Sequence, residues 1–246
     1  MMKTALDEQA QSSLLLRKLG RIDDLTDDEE RAVLNLPMKV KVFDADVDII
    51  RDGDRPSDCA VVLSGFVCRY KILPDGKRQI LGLYIPGDMP DLQSFPLQVP
   101  DHGVGTLARS NVGLIPHECL QDMLRSYPNL TKAFWRETLI DAAIAREWMI
   151  GLGRRSAYQR TAHLLCELHL RMMSVGLARS DGYDLPLTQN ELADTLGLST
   201  VHVNRVLQDL RREKLITLRG SALHIPDTRA LQAAGEFDPA YLHLTD

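Results

Sequence analysis

Five side chains between residues 200 and 208 have the chemistry needed to read base pairs, and their spacing gives them a common face. They are Thr200, Val201, Asn204, Arg205 and Gln208. Residues three, four and seven positions apart lie on the same side of an α-helix. Arginine binds guanine through two hydrogen bonds, asparagine and glutamine bind adenine in the same way, and an apolar side chain contacts the thymine methyl group. The spacing therefore predicts a helix that reads the major groove of DNA.

Apolar positions in the same region predict how this reading helix is held. Its own apolar face consists of Val203, Val206, Leu207 and Leu210. A matching face precedes it, formed by Leu192, Ala193 and Leu196. Between the two, Gly197 can adopt the left-handed conformation that ends a helix, and Ser199 is a favoured N-cap for the next one. Two short helices joined by a glycine-containing turn predict a helix-turn-helix at about Gln189–Gln208.

Residues suited to bind the DNA backbone flank the reading helix. We assign this role to Thr188, Ser199, His202 and Arg219. Such polar and charged groups bind phosphate oxygens and position a protein without specifying sequence. The segment Ser199–Gly220 holds five basic residues against two acidic ones, a local charge of +3. Downstream, Ile216–Leu218 and Leu223–Ile225 flank a turn at Arg219-Gly220-Ser221, which predicts a β-hairpin wing.

The composition of the whole chain is that of an ordinary globular protein. Its 246 residues are 44% apolar and 26% charged, and the formal net charge of −5 excludes a uniformly basic nucleic-acid coat. No apolar run approaches the length that spans a bilayer, and Leu14–Leu16 is too short for a signal-peptide core. The four cysteines are widely spaced, which indicates reduced thiols. We therefore expect a cytoplasmic protein without a membrane partner.

The predicted secondary structure changes twice along the chain. Helical patterns over about the first 35 residues give way, from Val40 to about Ile115, to short β-rich runs separated by turn residues, which indicates a β-sandwich or roll. Pro74-Asp75-Gly76 predicts one hairpin turn. A helix is then predicted over Asn129–Leu152, either as a core helix or as a helix that pairs with its copy in a second chain. The glycines at 151 and 153 predict a break or a hinge there.

Two further segments lead from this helix to the helix-turn-helix. Arg154–Met173 is predicted to form another helix, and Ala178–Leu187 is predicted to be a linker.

These motifs resemble those of the Crp/Fnr family of transcription regulators, from about residue 15 to residue 230. The β-rich half carries family landmarks at Gly53-Asp54, Val62–Gly65, Pro74–Arg78 and Pro86–Asp88. The helical half carries them at Leu152–Leu168 and in the string LTQNELADTLGLSTVHVNRVLQDLRREKLI. The resemblance implies a sequence-specific DNA-binding regulator. It would act as a homodimer joined along the long helix, on a pseudo-palindromic operator in double-stranded DNA, and it leaves RNA polymerase open as a further partner.

The resemblance also implies the fold and its division. The fold class is α+β, with three parts. An N-terminal β-roll (jelly-roll-like) sensor domain, similar to cyclic-nucleotide-binding domains, covers residues 1–128 together with the N-terminal helices. A dimerisation helix covers residues 129–153. A winged helix-turn-helix DNA-binding domain covers residues 154–246.

Two departures from the family pattern concern ligand and operator. Cyclic-nucleotide-binding members grip the cyclic phosphate with an Arg-Ser/Thr pair, whereas this chain has His102-Gly103, with Asp88 at the acidic position. A mostly neutral histidine replaces a permanent charge, so we expect no dependence on cyclic AMP. An effector pocket for another anion would use Asp88, His102, Gly103 and Val104. In the reading helix, Val201 stands where many members place a base-reading glutamate and Thr200 stands where some place arginine, so we expect an atypical half-site.

Other site chemistries have weaker support. His163, Cys166 and His169 could share a metal but read more simply as core residues, so we assign no metal site. An iron–sulfur cluster would need N-terminal cysteines, and the first 58 residues contain none. A haem ligand could come from His102, His117 or Met89. Enzyme motifs such as GxSxG, the P-loop or HExxH are missing, so we predict that the chain is not an enzyme.

The signal that controls such a regulator stays open. One alternative is a small-molecule, redox or gas sensor whose β-roll ligand, a cyclic nucleotide, haem or other cofactor, sets the affinity for DNA. Another is a regulator without an effector, controlled by its abundance or by oxidation of a thiol. The candidate thiols are Cys59, Cys68, Cys119 and Cys166.

Overall fold

A computed structural model describes residues 13–244 of the chain. These residues form two compact units. The first contains the described residues up to Lys71 together with Leu83–Asp141 and Leu244, and the second contains Ile72–Gly82 and Ala142–His243. Within the described range, no helix is long and apolar enough to cross a membrane.

Seven strands of the first part of the chain form two antiparallel sheets. The strands are β1 (Lys39–Phe43), β2 (Asp48–Ile50), β3 (Asp58–Ser64), β4 (Val67–Ile72), β5 (Arg78–Tyr84), β6 (Gly103–Thr106) and β7 (Ser110–Pro116). One sheet has the order β1-β7-β3 and the other the order β2-β6-β4-β5. The turn between β4 and β5 is the predicted one, and Gly76 adopts the positive φ of +82° that it requires. The β-roll expected from the sequence is confirmed.

Strand β3 shows where the core of this unit lies, because both of its faces are buried. Ala60 and Val62 pack into an apolar cluster that draws on both sheets. Cys59 and Val61 alternate with them and pack into a second cluster that includes residues of the surrounding helices. A strand that is covered on both faces reads as a continuous apolar run, as CAVVL does here.

Helices cover the second cluster. Residues 13–20 form α1, and the other helices are α2 (Asp27–Leu34), α3 (Ser94–Leu97), α4 (His117–Ser126) and α5 (Pro128–Arg154). The prediction of a break at Gly151 and Gly153 is wrong, because α5 continues through both and ends at Arg154. Each glycine costs a helix only about 1 kcal/mol, which a 27-residue helix tolerates. The chain turns instead at Ser156, which caps the following helix.

The elements that follow α5 all lie in the second unit. They are α6 (Ala157–Ser174), β8 (Gly182–Asp184), α7 (Gln189–Leu196), α8 (Thr200–Arg212), β9 (Thr217–Arg219), β10 (Ala222–His224), α9 (Thr228–Gly235) and a 3₁₀ turn (Pro239–Leu242). The predicted wing hairpin is present as β9 and β10. Strand β8 pairs with β10 and lies in the segment that was predicted to be a linker, so that prediction is wrong at this point.

A buried carboxylate organises the core of the second unit. Glu167 is fully buried in α6 and accepts hydrogen bonds from Trp148 Nε1 at 3.0 Å and from Tyr241 Oη at 2.8 Å. Arg171 Nη1 binds its other oxygen at 3.0 Å. Because every partner is a donor, the charge is compensated, and the C-terminal turn is tied to α6.

Candidate nucleic-acid interface

Helix α7 begins and ends at the residues that the sequence indicated. Thr188 Oγ1 accepts a hydrogen bond from the Glu191 backbone N at 3.2 Å, and Glu191 Oε2 accepts from the Thr188 backbone N at 2.5 Å. This reciprocal capping box satisfies two of the free N–H groups at a helix start. Gly197 then ends the helix in the left-handed region, with φ of 59°. A side chain there would meet Leu152 Cδ2 at 3.1 Å, so both backbone and space favour glycine.

Helix α8 is fixed by its cap and by one apolar face. Ser199 Oγ accepts a hydrogen bond from the His202 backbone N at 3.3 Å. The buried residues of α8 are Val203, Val206, Leu207 and Leu210, as predicted. Ala193 of α7 is buried as well, where the two helices pack. The helix-turn-helix predicted from the sequence is confirmed in both helices and in the turn.

The opposite face of α8 carries all five predicted base-reading residues. Thr200, Val201, Arg205 and Gln208 are exposed, and Asn204 is half-buried. Val201 is 73% exposed, although it is an apolar side chain. Within residues 13–244, the Arg205 guanidinium takes part in no ion pair, so its donors are free to bind a partner. An outward valine next to an unpaired arginine matches what the major groove offers, a thymine methyl group and a guanine edge.

Side chains of α7 reach across to this face. Asn204 Nδ2 donates to Gln189 Oε1 at 3.1 Å, and Gln208 Nε2 donates to Asn204 Oδ1 at 2.9 Å. Thr200 Oγ1 donates to Asn190 Oδ1 at 2.8 Å. The sequence pattern did not single out Gln189 or Asn190, because helical periodicity gives faces within one helix and not the contacts between two.

The four residues predicted to bind the DNA backbone differ in what their side chains already do. Thr188 and Ser199 are the N-caps described above, so their hydroxyl oxygens accept from their own helices. His202 lies exposed in the first turn of α8, and Arg219 is exposed at the end of β9, next to the wing turn. The first turn of a helix attracts phosphate through its free N–H groups and its dipole. His202 and Arg219 are therefore the free side chains of this set.

In the β-roll, the predicted effector residue Asp88 is held by the protein itself. It is 1% exposed, its Oδ2 accepts from the Ile85 backbone N at 2.8 Å, and its Oδ1 forms an ion pair with Lys18 of α1. Lys18 Nζ also lies 2.5 Å from Glu137 Oε1 of α5. Burial raises the pKa of Glu137, and Lys18 partly opposes that rise. The sequence did not indicate this group of ion pairs, because Lys18, Asp88 and Glu137 are far apart along the chain.

His102 and Gly103 are also enclosed. His102 Nε2 lies 2.9 Å from Gln93 Nε2, and its Nδ1 lies 2.9 Å from Asp101 Oδ1. Burial lowers the pKa of His102, which keeps the ring neutral near pH 7. A Cβ on Gly103 would lie 2.5 Å from the Tyr70 ring, so that ring covers the glycine backbone. The neighbouring Val104 is fully buried in the core between the sheets.

A half-buried arginine next to these residues is engaged by the protein on all three guanidinium nitrogens. Arg69 Nη1 binds Asp141 Oδ2 at 2.7 Å, and Nη2 donates to Gln93 Oε1 at 2.8 Å. Its Nε donates to the Pro90 carbonyl at 2.6 Å, and the guanidinium lies over the Tyr84 ring. The pKa of Arg69 is raised because the nearby Tyr84 and Asp141 outweigh its burial. No motif in the sequence indicates that this residue lies near a ligand pocket.

Two of the remaining candidate ligands, His163 and His169, are hydrogen-bonded within the protein. His163 lies between the Gly235 carbonyl and the Tyr241 hydroxyl, at 3.2 and 3.1 Å, and His169 Nε2 lies 2.8 Å from the Arg179 carbonyl. The part of the chain that the structure describes contains no cluster of side chains suited to hold a metal ion. Met89 is buried in the core cluster below the helices, and His117 packs edge-on against Phe95.

Comparisons with known proteins agree with this architecture. Residues 40–127 match the model of the cyclic nucleotide-binding domain, and residues 159–234 match that of the Crp-like helix-turn-helix domain. The chain is 31% identical over 216 residues to transcriptional activator protein FnrL of Cereibacter sphaeroides, covering 85% of this chain and 86% of that protein.

More distant matches extend this likeness. The chain is 29% identical over 173 residues to nitrogen fixation regulation protein FixK of Bradyrhizobium diazoefficiens, which covers 70% of this chain and 71% of that protein. The solved structure of FixK2 from Bradyrhizobium japonicum has the same fold, with a TM-score of 0.73 at 24% identity. That match covers 81% of this chain and 98% of the FixK2 chain.

Proposed function

Because the chain belongs to the Crp/Fnr family, whose members are DNA-binding transcription regulators and not enzymes, we propose that it acts as a homodimer on a pseudo-palindromic operator. Each protomer would place α8 in the major groove of one half-site. The observation that carries this proposal is the exposed face of α8, where Val201 and the unpaired Arg205 stand beside two amide side chains. RNA polymerase is a further proposed partner, in keeping with relatives that are named as transcriptional activators.

We assign base reading and backbone binding to separate residues. The readers are Thr200, Val201, Asn204, Arg205 and Gln208. His202 and Arg219 would bind phosphates through their side chains, whereas Thr188 and Ser199 would act mainly through the helix starts that they cap. Valine at position 201 favours thymine over a base that needs a polar partner. The half-site is therefore expected to carry a thymine beside the guanine that Arg205 reads.

The proposed dimer interface is a stripe of exposed apolar residues along α5. Its members are Trp135, Leu139, Met149, Ile150 and Leu152, between 42% and 67% exposed. Trp135 and Met149 are two heptads apart, and Leu139 lies one helical turn after Trp135. Such a seam is what a coiled-coil pair buries. The division of the chain into residues 1–128, 129–153 and 154–246 follows this proposal, and its site of action would be the cytoplasm.

We further propose that cyclic AMP does not control this regulator. Its phosphate would have to approach Gly103, over which the Tyr70 ring lies, and Asp88 is already paired with Lys18. The alternative is a different small molecule or gas ligand that uses Asp88, His102, Gly103 and Val104 after Tyr70 moves. Calorimetry with cyclic AMP and cyclic GMP tests this, and micromolar binding of either would overturn our interpretation of the pocket. An absorbance band of a bound cofactor in fresh protein would support the alternative.

Selection from random double-stranded DNA tests the proposed function. The full chain is immobilised, bound sequences are enriched over several rounds, and the products are sequenced. The proposal predicts an inverted repeat whose half-sites are about one helical turn apart, which is the spacing of two recognition helices in a symmetric dimer. Enrichment of a single asymmetric site, or no enrichment at all, would contradict it.

A further inference from the structure

Three amide side chains on the DNA-facing side form one continuous chain of hydrogen bonds across two helices. Gln189 of α7 accepts from Asn204 of α8 at 3.1 Å, and Asn204 accepts from Gln208 at 2.9 Å. Asn204 lies in the middle and is half-buried, whereas Gln208 is the exposed end, one turn further along the helix. We call this set of Gln189, Asn204 and Gln208 the amide relay.

The position in the relay determines how much hydrogen-bonding capacity each amide has left. A primary amide offers two donors and two acceptor lone pairs. Asn204 spends one of each on its two partners. Gln208 spends a single donor and keeps both lone pairs of Oε1 and one N–H. Adenine requires one acceptor and one donor from the same amide edge. Gln208 is exposed and has both free on its outer edge, whereas Asn204 is half-buried and its remaining donor and acceptor are on atoms that already bind its two neighbours.

Gln208 keeps a free donor and a free acceptor even if the oxygen and nitrogen of each amide group are exchanged. Oxygen and nitrogen of an amide group are assigned from their partners, so the chain could also run from Gln189 towards Gln208. Gln208 would then accept from Asn204 and still keep one lone pair and two N–H donors. In both directions it can pair with adenine, and in both directions Asn204 is bound on two sides.

We propose that Gln208 is the adenine-reading residue of this interface, and that Asn204, which was placed above among the readers, acts instead with Gln189 as a positioning residue through it. The proposal rests on the proposed function, since it requires α8 in the major groove. A free glutamine has many side-chain conformations, and fixing it on DNA is unfavourable. The relay orders the Gln208 amide before binding, and this preorganisation increases the discrimination that its two hydrogen bonds to adenine provide.

Base preference at each operator position, measured by competitive binding of a library of single-base operator variants, tests this proposal. Replacing Gln208 by alanine is expected to lower the preference for A·T at one position by about 10-fold. Replacing Gln189 by methionine, which keeps length but has no acceptor, is expected to lower the preference at that same position by about 3-fold. The Gln189→Met/Gln208→Ala double variant should be no worse than Gln208→Ala, because one residue acts through the other.

Two matched variants separate the relay from a general effect on the fold. Gln189→Glu keeps an acceptor oxygen for Asn204 and should restore the A·T preference, even where its charge weakens overall affinity. Asn190→Ala removes the other side-chain bridge between α7 and α8 and should leave the preference at this position intact. In every variant, retained preference for guanine at the Arg205 position shows that the interface is folded.

Distinct outcomes would overturn the two proposals. If Asn204→Ala changes the preference at a different base pair from Gln208→Ala, Asn204 reads a base itself and the relay proposal is wrong. Equal preferences in wild type and Gln189→Met would also overturn it. If the wild-type protein selects no operator, the proposed function fails, and that result is visible before any variant is made.

Discussion

At the scale of single residues, the β-roll is notable for charged groups that it buries and compensates internally. Lys18 bridges Asp88 and Glu137, and Arg69 binds Asp141. Asp88 is fully buried, so removal of Lys18 would leave its charge uncompensated, which costs about 3–5 kcal/mol. These side chains occupy the region where the family pattern led us to expect ligand contacts. The residues could be listed from the sequence, but Lys18 and Asp88 are 70 positions apart, and no local pattern pairs them.

Asp91 gives a prediction for pH dependence. It is fully buried, and that burial raises its pKa from 3.8 to about 7, against the hydrogen bond from Ala60 and the charge of Arg69. Because the folded protein holds this proton to higher pH than the unfolded chain, its stabilising contribution is complete below about pH 4 and is lost as pH rises to about 7. From about pH 5 to about pH 8, the free energy of unfolding should fall by about 2–3 kcal/mol more in wild type than in Asp91→Asn. Urea titrations at both pH values measure the free energy of unfolding. An equal decrease from pH 5 to pH 8 in wild type and Asp91→Asn would contradict the prediction.

The cysteines give a prediction for thiol reactivity. Cys59, Cys68 and Cys166 are buried, whereas Cys119 is half-buried. Burial raises the pKa of Cys166 to about 12 and that of Cys59 well above its ordinary range. The thiolate is the reactive form, so iodoacetamide should label native protein chiefly at Cys119. Mass spectrometry of native and urea-unfolded samples checks this. Equal labelling of Cys166 in native protein would contradict the buried placement and favour a redox-sensing role.

At the scale of elements, the helix-turn-helix could be predicted because each of its signals is local. Thr188, Gly197 and Ser199 set the helix limits within a short segment, and the apolar period gives the buried faces. Strand β8 could not be predicted in this way, since it has three residues and is held by pairing with β10. The relay residue Gln189 was missed for the same reason, because the packing of two helices creates its contact.

Two glycines give opposite predictions for stability. Gly197 ends α7 with φ of 59°, and a Cβ there would lie 3.1 Å from Leu152 Cδ2, so Gly197→Ala should destabilise the fold by about 1 kcal/mol or more. Gly153 is helical and has open space around its Cβ position, so Gly153→Ala should stabilise α5 by about 0.5–1 kcal/mol. Urea unfolding of both variants gives the values. Stabilisation by Gly197→Ala would contradict the helix end described here.

At the scale of the whole molecule, the proposed homodimer explains why α5 exposes a tryptophan and several aliphatic side chains. The sequence identified this helix but left open whether it is a core helix or pairs with a copy. On α5, Leu130 and Phe134 pack into the core of the first unit, whereas Trp135 and Leu139 are exposed. The helical periodicity of the sequence identifies both groups of apolar residues. Only the three-dimensional structure shows which group is buried within the chain.

A charge on the stripe of α5 should separate the protomers. Leu139 is 52% exposed, and Leu139→Glu would place like charges across the seam. Sedimentation should give twice 27.6 kDa for wild type and 27.6 kDa for the variant. Affinity for a two-half-site operator should fall by about 100-fold, since bivalent binding is lost. Val42→Glu on β1, at a site 57% exposed, is the matched control and should stay dimeric. A monomeric wild type would contradict the proposed interface.

The exposed reading face of α8 is the centre of the proposed function, and one substitution tests it most directly. Arg205 on that face is compared with Arg229, an exposed arginine on α9, by measuring the affinity of each alanine variant for the selected operator and for unrelated DNA. Arg205→Ala should weaken operator binding by about 10- to 100-fold and abolish the preference for guanine, with little change on unrelated DNA, whereas Arg229→Ala should match wild type. Unchanged operator affinity and base preference in Arg205→Ala would contradict the proposed reading of DNA through α8.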